Sequence, residues 1–303
     1  MKKQNFLSSD YFSFFIPWLF VLLWSTGFIF SKLGLNYAPP FAFLSLRYLA
    51  LIFIMLIICI CTKSTWPKSN KEIFHIALSG FFLHGLYLIG VMGAIHFGLA
   101  TGITALIVGF QPLLTAFISN FFLKESLNKW QWLGIIFGLI GILIVLYPKL
   151  GFHSHDLNAV GFAIIGLLGI TFGTLYQKYF CPKFDLRTGG LIQYLTAGLF
   201  TFPLSFLFGN WQIKWDWLLI FSLAWLVIIL SVGAISLLSL LIRHNKASSV
   251  ASLFYLVPPL TSIEAYIVFK EKIYFYTLVG MGLTIIGVIL VIHSTYKTIT
   301  KDN

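Results

Sequence analysis

Long apolar runs, separated by short polar breaks, set the pattern of this chain. A hydrocarbon core of about 30 Å is crossed by about 20 helical residues, so each run of that length is a candidate transmembrane helix. Ten runs qualify: 14–35, 41–61, 74–96, 99–122, 130–148, 157–177, 190–208, 217–241, 247–269 and 274–294. The breaks are too short to hold a soluble domain. The pattern therefore predicts an all-α membrane protein with ten transmembrane helices.

The composition excludes an ordinary soluble domain and argues against a nucleic-acid partner. Hydrophobic residues make up 59% of the 303 residues and charged residues only 10%, whereas globular domains are about a quarter charged. The net charge of +11 comes from basic residues that stand singly between apolar runs. Such residues anchor and orient helices in a bilayer, and we expect no nucleic acid as a partner.

The positions of the basic residues also orient the chain. With the amino terminus inside, the inner segments contain 14 lysine and arginine residues and the outer loops contain 4. An excess of basic residues marks the cytoplasmic side. We therefore expect a multi-pass plasma-membrane protein, in the bacterial inner membrane, with both termini in the cytoplasm. Cys59, Cys61 and Cys181 fall at the inner face in this topology, where thiols remain reduced.

The segment 101–146 occurs a second time, without a gap, at 247–292. Prolines, glycines and charged residues match in one register: Pro112 and Pro258, Lys124 and Lys270, Glu125 and Glu271, Gly134 and Gly280, Gly141 and Gly287. The same offset of 146 positions aligns Gly27 with Gly173, Lys32 with Lys178 and Tyr48 with Tyr194. We interpret the chain as two homologous halves, 14–147 and 160–293.

Each half contains five predicted crossings. Because five is odd, the second half enters the bilayer inverted relative to the first. Inverted repeats are typical of secondary transporters, in which the substrate site lies near the midplane between the halves. The predicted fold is therefore two inverted five-helix repeats, and this symmetry provides two conformations, each open to one side of the membrane.

Several of these residues resemble a known family. The stretch WSTGFIFSKLGL at 24–35 is followed by Pro39 and Pro40 and by LRYLA around Arg47, and each repeated proline precedes an acidic turn. Together they resemble EamA-type members of the drug/metabolite transporter superfamily over essentially the whole chain. The resemblance implies two EamA repeats and a metabolite transporter, often an exporter of amino acids or related small molecules. It also implies a cavity lined by the first, third and fourth helices of each half, and it does not name the substrate.

Pro112 and Pro258 stand near the middle of apolar runs, where a proline removes a backbone donor and disturbs the helix. The freed carbonyl groups, near Val108 and Phe254, are tolerated in lipid only against protein or a wet cavity. We expect a kink that faces the cavity and flexes during alternating access. The alternative is a static kink filled by a neighbouring helix.

Glu264 is the acidic residue that lies well inside an apolar run. An ionised carboxylate at depth costs about 2.5–3.5 kcal/mol, so it should be paired, protonated or in contact with water. In one interpretation Glu264 is a proton-coupling group or an anchor for a substrate amine. In the other it forms an ion pair with Arg47 or Lys32, which the topology also places in the outer half of the membrane.

Polar and aromatic residues near the middle of predicted helices are candidates for the substrate cavity. His84 and Tyr87 lie three positions apart, on one face of the third helix, and they resemble a pair that lines the cavity of some EamA-type amino-acid exporters. Trp24 lies too deep for the interfacial aromatic belt. The remaining candidates are Phe110, Gln111 and Tyr255. For each of them the alternative is a side chain that packs against lipid or another helix.

The sequence contains no catalytic motif and no phosphate-binding glycine loop, so we expect neither an enzyme nor a cofactor nor a metal. A weak metal site at 153–156 is the alternative to a solvated outer loop. The repeated Lys-Glu pairs are expected to cap or pair helix ends.

The predicted function is secondary active transport of a small organic metabolite, with an amino acid or related metabolite as cargo and export as direction. We expect a monomer in the lipid bilayer. An exchanger or facilitator for a nucleotide or sugar derivative, a polyamine or a drug is the alternative. An intramembrane enzyme is a distant one, and proton coupling remains open.

Overall fold

The computed structural model describes residues 10–122, 128–146, 154–181, 183–208, 211–234, 237, 241 and 253–299. All regular secondary structure in these residues is helical. The helices are α1 (Asp10–Leu35), α2 (Pro40–Cys61), α3 (Asn70–His96), α4 (Thr101–Val108 and Gln111–Phe122), α5 (Lys129–Leu146), α6 (Ser154–Phe180), α7 (Leu186–Leu207), α8 (Trp217–Ala234), α9 (Phe254–Leu256 and Val257–Phe269) and α10 (Phe275–Ile299). Lys124, Glu125 and His153 lie outside the described residues, as does the side chain of Tyr255.

Seven of these helices are long and apolar enough to cross a membrane, and three shorter apolar helices accompany them. Their outer faces carry large apolar side chains: Phe53 is 65% exposed, Leu199 74% and Phe206 63%. Exposed apolar surface of this extent marks contact with lipid rather than with water. The chain is a multi-pass all-α membrane protein, which confirms the predicted fold class.

Helices α2 and α7 occupy equivalent places in the two repeats. Each is 22 residues long, and their first residues, Pro40 and Leu186, are 146 positions apart. Pro40 begins α2 with a backbone angle already suited to a helix. Asp185 begins α7 by accepting a hydrogen bond from the Arg187 backbone N–H, at 2.9 Å, as an N-cap residue does. The two equivalent helices therefore start differently, α2 with a proline and α7 with an aspartate N-cap.

The apolar run predicted as one kinked helix at 99–122 is divided in the structure. Its first segment ends at Val108, and a second segment begins at Gln111, so Pro112 is the second residue of a new helix. Pro258 is likewise the second residue of the main segment of α9. Proline is well tolerated in a first helical turn, where its missing N–H would have no partner. Both prolines therefore stand in the first turn of an α-helical segment, which a two-residue turn precedes for Pro112 and a 3-10 turn precedes for Pro258. Whether either position flexes during transport stays a prediction.

The repeats pack against each other through equivalent helices, and α5 crosses α10 at two glycine pairs. A Cβ atom on Gly141 would lie 2.5 Å from the Gly280 carbonyl oxygen, and one on Gly287 would lie 2.3 Å from the Gly134 oxygen. Gly134, the earlier glycine of α5, meets Gly287, the later glycine of α10, and Gly141 meets Gly280. The two helices therefore run antiparallel. Helices 5 and 10 are antiparallel only when the second repeat is inverted, as the odd helix count predicts.

Both α3 and α8 contain a π-helical segment, at Phe81–Leu86 and Trp225–Ala234. The two segments overlap when one repeat is placed on the other. A π-helical turn is wider than an α-helical turn and is frequent at functional sites. The first segment packs against α7 and the second against α2.

Candidate functional site

A narrow cavity lies between the repeats, where the interrupted helix α4 and the helix α9 approach α1 and α6. Its lining consists of Trp24, Phe28, Ala105, Val108, Gly109, Gln111, Pro112, Ile170, Phe254 and Val257. The space measures about 10 Å³, enough for about one water molecule. The cavity is therefore closed to an organic solute in this conformation, and opening it requires α1, α4 and α9 to separate.

One wall of this cavity is aromatic and joins the two repeats. The rings of Phe20 and Trp24 on α1 lie 5.3 Å and 5.4 Å from the ring of Phe254 on α9. Both contacts are edge-to-face, the arrangement that the ring quadrupoles favour. Opposite this wall, the Gln111 side-chain amide donates a hydrogen bond to the Thr174 hydroxyl of α6 at 3.1 Å. The cavity thus combines an apolar wall with one polar group.

Glu264 of α9 contacts Ser25, the residue after Trp24. The Ser25 hydroxyl oxygen lies 2.7 Å from Glu264 Oε1 and 2.8 Å from the Leu22 carbonyl oxygen. A hydroxyl has one hydrogen and can donate to only one of these acceptors. If it donates to Leu22, the carboxyl group must hold a proton and donate to Ser25. If Glu264 is ionised, Ser25 donates to it instead. The arrangement therefore accommodates Glu264 in both protonation states.

The predicted ion pair of Glu264 with Arg47 or Lys32 is not formed. Lys32 lies two turns beyond Ser25 on α1 and pairs instead with Glu271, between α9 and α10. Glu271 also accepts hydrogen bonds from the backbone N–H and the hydroxyl of Thr101, each at 3.1 Å to Oε2. This carboxylate therefore caps the first turn of α4 and joins three helices at one end of the bundle.

Arg47 lies on α2, and its side chain faces α8 rather than α9. Its guanidinium donates from Nη2 to the Ser231 hydroxyl at 3.0 Å, and Arg47 is 4% exposed. The group lies within electrostatic range of His84 and of three tyrosine hydroxyls, those of Tyr48, Tyr87 and Tyr194. These side chains come from α2, α3 and α7, so the cluster spans both repeats.

His84 and Tyr87 belong to this Arg47 cluster. The Tyr48 hydroxyl donates to the His84 carbonyl oxygen at 2.6 Å, and the His84 ring lies 4.7 Å from the Tyr194 ring. The π-helical segment Phe81–Leu86, which contains His84, packs against α7. Neither residue is among those that line the narrow cavity.

The structure thus divides the predicted site residues between two places. Trp24, Gln111 and Pro112 line the narrow cavity, whereas His84, Tyr87 and Arg47 form the Arg47 cluster. Phe110 faces away from both, because its ring lies beside Gly138 of α5. Pro258 borders a second small space between α4, α9 and α10.

Sequence reasoning missed Ser25, Thr174, Tyr194 and Ser231. Single hydroxyl residues carry no motif, and their partners lie 239, 63 and 184 positions away in the chain for Ser25, Thr174 and Ser231. One signal was available for Tyr194, since the repeat offset aligns it with Tyr48 beside Arg47.

Comparison with known proteins identifies the family of this chain. The chain matches the EamA-like transporter family over residues 13–147 and 157–293. It belongs to that family. The match covers both repeats, which confirms the resemblance, and EamA membership indicates a transporter rather than an enzyme.

Relatives of known name are similar over most of their length. The chain is 26% identical over 286 residues to the uncharacterised transporter YvbV of Bacillus subtilis (strain 168), covering 89% of this chain and 88% of that protein. It is also 26% identical over 240 residues to the S-adenosylmethionine uptake transporter of Rickettsia bellii (strain RML369-C), covering 77% of each.

A solved structure shares the fold of this EamA protein. A protein crystal structure superposes with a TM-score of 0.68, covering 96% of this chain and 99% of the other, at 15% sequence identity. At that identity the likeness concerns the fold alone. It shows that the arrangement of ten helices described above occurs in a second protein of nearly the same extent.

Proposed function

We propose that this EamA protein is a secondary active transporter that exports an amino acid or related metabolite by alternating access. The observation that carries the proposal is the closed cavity between inverted repeats, bordered by α4, which is interrupted at 109–110, and by α9, which contains a 3-10 turn at Phe254–Leu256. Secondary transporters place their substrate between such repeats, at discontinuous helices. A helix that is already interrupted can change direction without breaking further backbone hydrogen bonds.

The cavity wall supports an organic solute rather than a bare inorganic ion. Trp24 and Phe254 offer apolar ring faces, and Gln111 offers an amide that can accept as well as donate. Pockets for small organic molecules combine apolar walls with a few polar groups in this way. When α1 moves away from α9, the two rings are the first apolar surfaces that a solute would contact.

A second cargo is favoured by a specific finding, namely the relative named as an S-adenosylmethionine uptake transporter. S-adenosylmethionine contains an amino-acid head group and an aromatic base, so the same aromatic wall would serve it. The name also describes uptake, whereas we propose export. Both cargo and direction therefore belong in the first experiment.

That experiment is counterflow of labelled solutes in liposomes containing the purified chain. The panel consists of amino acids, S-adenosylmethionine, nucleotides, sugars and polyamines, and energised membrane vesicles of each orientation give the direction. We expect saturable counterflow of at least one amino acid or of S-adenosylmethionine. Trp24→Leu should weaken it, and Trp130→Leu, at a 61% exposed residue of α5, should not. No counterflow of any class would contradict the proposal.

The proposed orientation, with both termini in the cytoplasm of a bacterial inner membrane, has its own test. Cys61 is exposed, whereas Cys59 and Cys181 are buried. A membrane-impermeant maleimide should therefore label Cys61 from the cytoplasmic side only. A Lys272→Cys variant without Cys61 should be labelled from the outside only. Labelling of both thiols from one face would contradict the topology.

We further propose that Glu264 couples transport to protons through its contact with Ser25. The carboxyl group can hold or release a proton without losing this hydrogen bond, since Ser25 donates or accepts in turn. Glu264 lies on α9 and Ser25 on α1, the two helices that must separate to open the cavity. Movement of the helices therefore breaks the contact and changes the cost of carrying a charge at this position.

A further inference from the structure

Among the described residues, Arg47 is the lysine or arginine that is buried, and its guanidinium has few partners. It is 4% exposed, and a guanidinium offers five N–H donors in a fixed fork. One hydrogen bond is formed, from Nη2 to the Ser231 hydroxyl at 3.0 Å. The buried Nε has no acceptor among the described residues. Most of the hydrogen-bonding capacity of this side chain is therefore unused.

Arg47 also has no counter-ion in the part of the chain that the structure describes. The ion pairs found there join Lys32 to Glu271 and Arg187 to Asp185. Residues 235–252, most of which lie outside the described part, contain no Asp or Glu. A charge held in a membrane interior normally pairs with an opposite charge or marks a functional pathway. No ion pair among the described residues neutralises the buried charge of Arg47.

The side chains around Arg47 include one serine and three tyrosines, which are polar but carry no charge. Tyr48, Tyr87 and Tyr194 lie within electrostatic range of the guanidinium. Two π-helical segments border the cluster, one carrying His84 and the other carrying Ser231. The hydroxyl hydrogens of Tyr48 and Ser231 are already donated to the carbonyl oxygens of His84 and Leu226. The guanidinium is therefore the group that can neutralise an incoming anion and donate charge-assisted hydrogen bonds to it.

The second repeat has a neutral residue at the position that matches Arg47. Gln193 is the counterpart of Arg47 at the repeat offset, and it is 6% exposed. Its amide nitrogen donates to both Ser79 and Gln177, at 2.9 Å each. Burying a neutral amide whose two N–H groups are hydrogen-bonded costs less free energy than burying a charged group. Arg47 instead has a charge and an unused donor, so packing alone does not require it.

We infer that Arg47 is an anion-binding residue of this transporter, and that its ligand is a carboxylate on the transported solute. The inference rests on the proposed transport function, since it assigns a chemical class to the cargo. The Nε–H and the free Nη N–H groups form a planar fork, and a carboxylate accepts two parallel hydrogen bonds from such a fork. The ligand reaches the cluster when the repeats separate.

The test compares acids with amides that differ only at the carboxylate. Purified protein is mixed with L-phenylalanine or L-phenylalaninamide, L-leucine or L-leucinamide, L-methionine or L-methioninamide, and succinate or succinamide. The melting temperature of the protein is measured with each. We expect at least one acid to raise it and its amide to leave it unchanged. Equal effects of acid and amide, or no effect of any acid, would overturn the inference.

Variants at Arg47 test the residue itself. Arg47→Gln places in repeat 1 the residue that repeat 2 already has, and it should weaken the apparent affinity for the stabilising acid about tenfold or more, as loss of a charge-assisted fork implies. Arg187→Gln is the matched control, because Arg187 has its own partner in Asp185 and lies at the start of α7. It should keep the preference for acids. An Arg47→Gln protein that keeps this preference would refute the assignment.

A folding failure of Arg47→Gln does not end the test. Arg47→Lys keeps the charge and loses the planar fork. It should still prefer acids to amides but bind them more weakly, and binding as tight as in the original protein would contradict the fork. Counterflow separates this inference from the proposed function: acid-selective binding without any counterflow removes the transport proposal alone. Counterflow restricted to solutes without a carboxylate removes the anion site alone.

Discussion

The crossing of α5 and α10 and the cluster around Arg47 show opposite relations to the repeat. At the crossing, Gly134 and Gly141 have counterparts in Gly280 and Gly287, and the close approaches occur in symmetric pairs. In the cluster, Arg47 is matched by Gln193 and His84 by Leu230. The difference teaches that the duplicated part of this chain is its scaffold. The arginine and the histidine of the cluster occur in one copy only, whereas its tyrosines Tyr48 and Tyr194 are duplicated.

Glu264 follows the same rule as Arg47. Its counterpart in the first repeat is Ile118, so symmetry does not require an acid at this position. A transporter with two equivalent conformations needs a symmetric scaffold to form both of them. It needs only one binding site and one coupling group, because the site serves both conformations. Changes to the duplicated scaffold should therefore affect folding, and changes to the unduplicated residues should affect transport.

The largest expected effect comes from breaking the duplicated crossing. A Cβ atom on Gly287 would lie 2.3 Å from the Gly134 oxygen and 2.8 Å from the Gly138 nitrogen, so Gly287→Ala forces the two backbones apart. Overpacking of this kind costs about 1–3 kcal/mol or more. We expect a clearly lower melting temperature, measured on purified protein, with loss of transport in proportion to the folded protein lost.

Gly282 is the matched control on the same helix. A Cβ atom there meets nothing within 4 Å, so Gly282→Ala removes only chain flexibility. Its melting temperature should stay level or rise slightly, since alanine favours a helix by about 1 kcal/mol over glycine. Equal melting temperatures for Gly287→Ala and Gly282→Ala would show that the crossing is looser than described.

The next effect concerns Glu264, which is unduplicated. Glu264→Gln keeps the size of the side chain and can still bond to Ser25, but it cannot release a proton. We expect loss of the response to an imposed pH gradient, by about tenfold or more if the carboxyl group carries the coupling, with solute exchange retained. The measurement is transport in liposomes with and without the gradient.

Stability distinguishes this result from a structural defect. Because the partner of Glu264 is a hydroxyl group and not a cation, Glu264→Gln leaves no buried charge without its partner. Its melting temperature should therefore stay close to the original. Glu72→Gln makes the same chemical change at an exposed residue of α3 and should keep the gradient response. A Glu264→Gln protein that responds fully to the gradient would contradict the coupling proposal.

The fold could be predicted from the sequence because its causes are local or repeated. Apolar run length gives the helices, and the offset of 146 gives the two halves. The partners of the polar side chains could not be predicted in the same way. Whether Glu264 meets Ser25, Arg47 or Lys32 depends on how α9 is rotated against α1, and an apolar run does not encode that rotation. The division of α4 before Pro112 was also missed, because a proline fits both a kink and a first turn.

A smaller effect is expected at Glu271, which joins α1, α4 and the end of α9. Glu271→Gln removes the charge that Lys32 pairs with and weakens the cap on Thr101. Because both charged side chains are partly exposed, 29% for Lys32 and 15% for Glu271, we expect a loss of about 1 kcal/mol or less. The melting temperature should fall modestly, and the difference from the original protein should shrink at high salt.

Lys272→Gln provides the control for this change, since Lys272 is exposed and lies next to Glu271 in the chain. It removes a charge from the same loop without touching the contact to Thr101. Its melting temperature should be close to that of the original protein. If Glu271→Gln and Lys272→Gln behave alike, then the loss is a general effect of charge and the junction of the three helices contributes nothing.

The smallest effect sharpens the comparison between the two helix starts, Pro40 of α2 and Asp185 before α7. Asp185 lies outside the membrane-spanning segment, and its hydrogen bond with the Arg187 side chain holds the pKa of the carboxyl group below its ordinary value. A carboxyl group whose pKa is lowered in the folded protein stabilises the fold at pH values above its pKa in the unfolded chain, which is about 3.9. This contribution is lost as the pH falls below that value.

Asp185→Asn can still cap the helix but cannot titrate. We therefore expect its melting temperature to be slightly lower than that of the original near neutral pH, with the gap closing as the pH falls below about 4. Because α2 starts with proline, Pro40→Ala should shift the melting temperature by the same amount at every pH. A gap for Asp185→Asn that stays constant with pH would show that the charge of Asp185 contributes nothing to the start of α7.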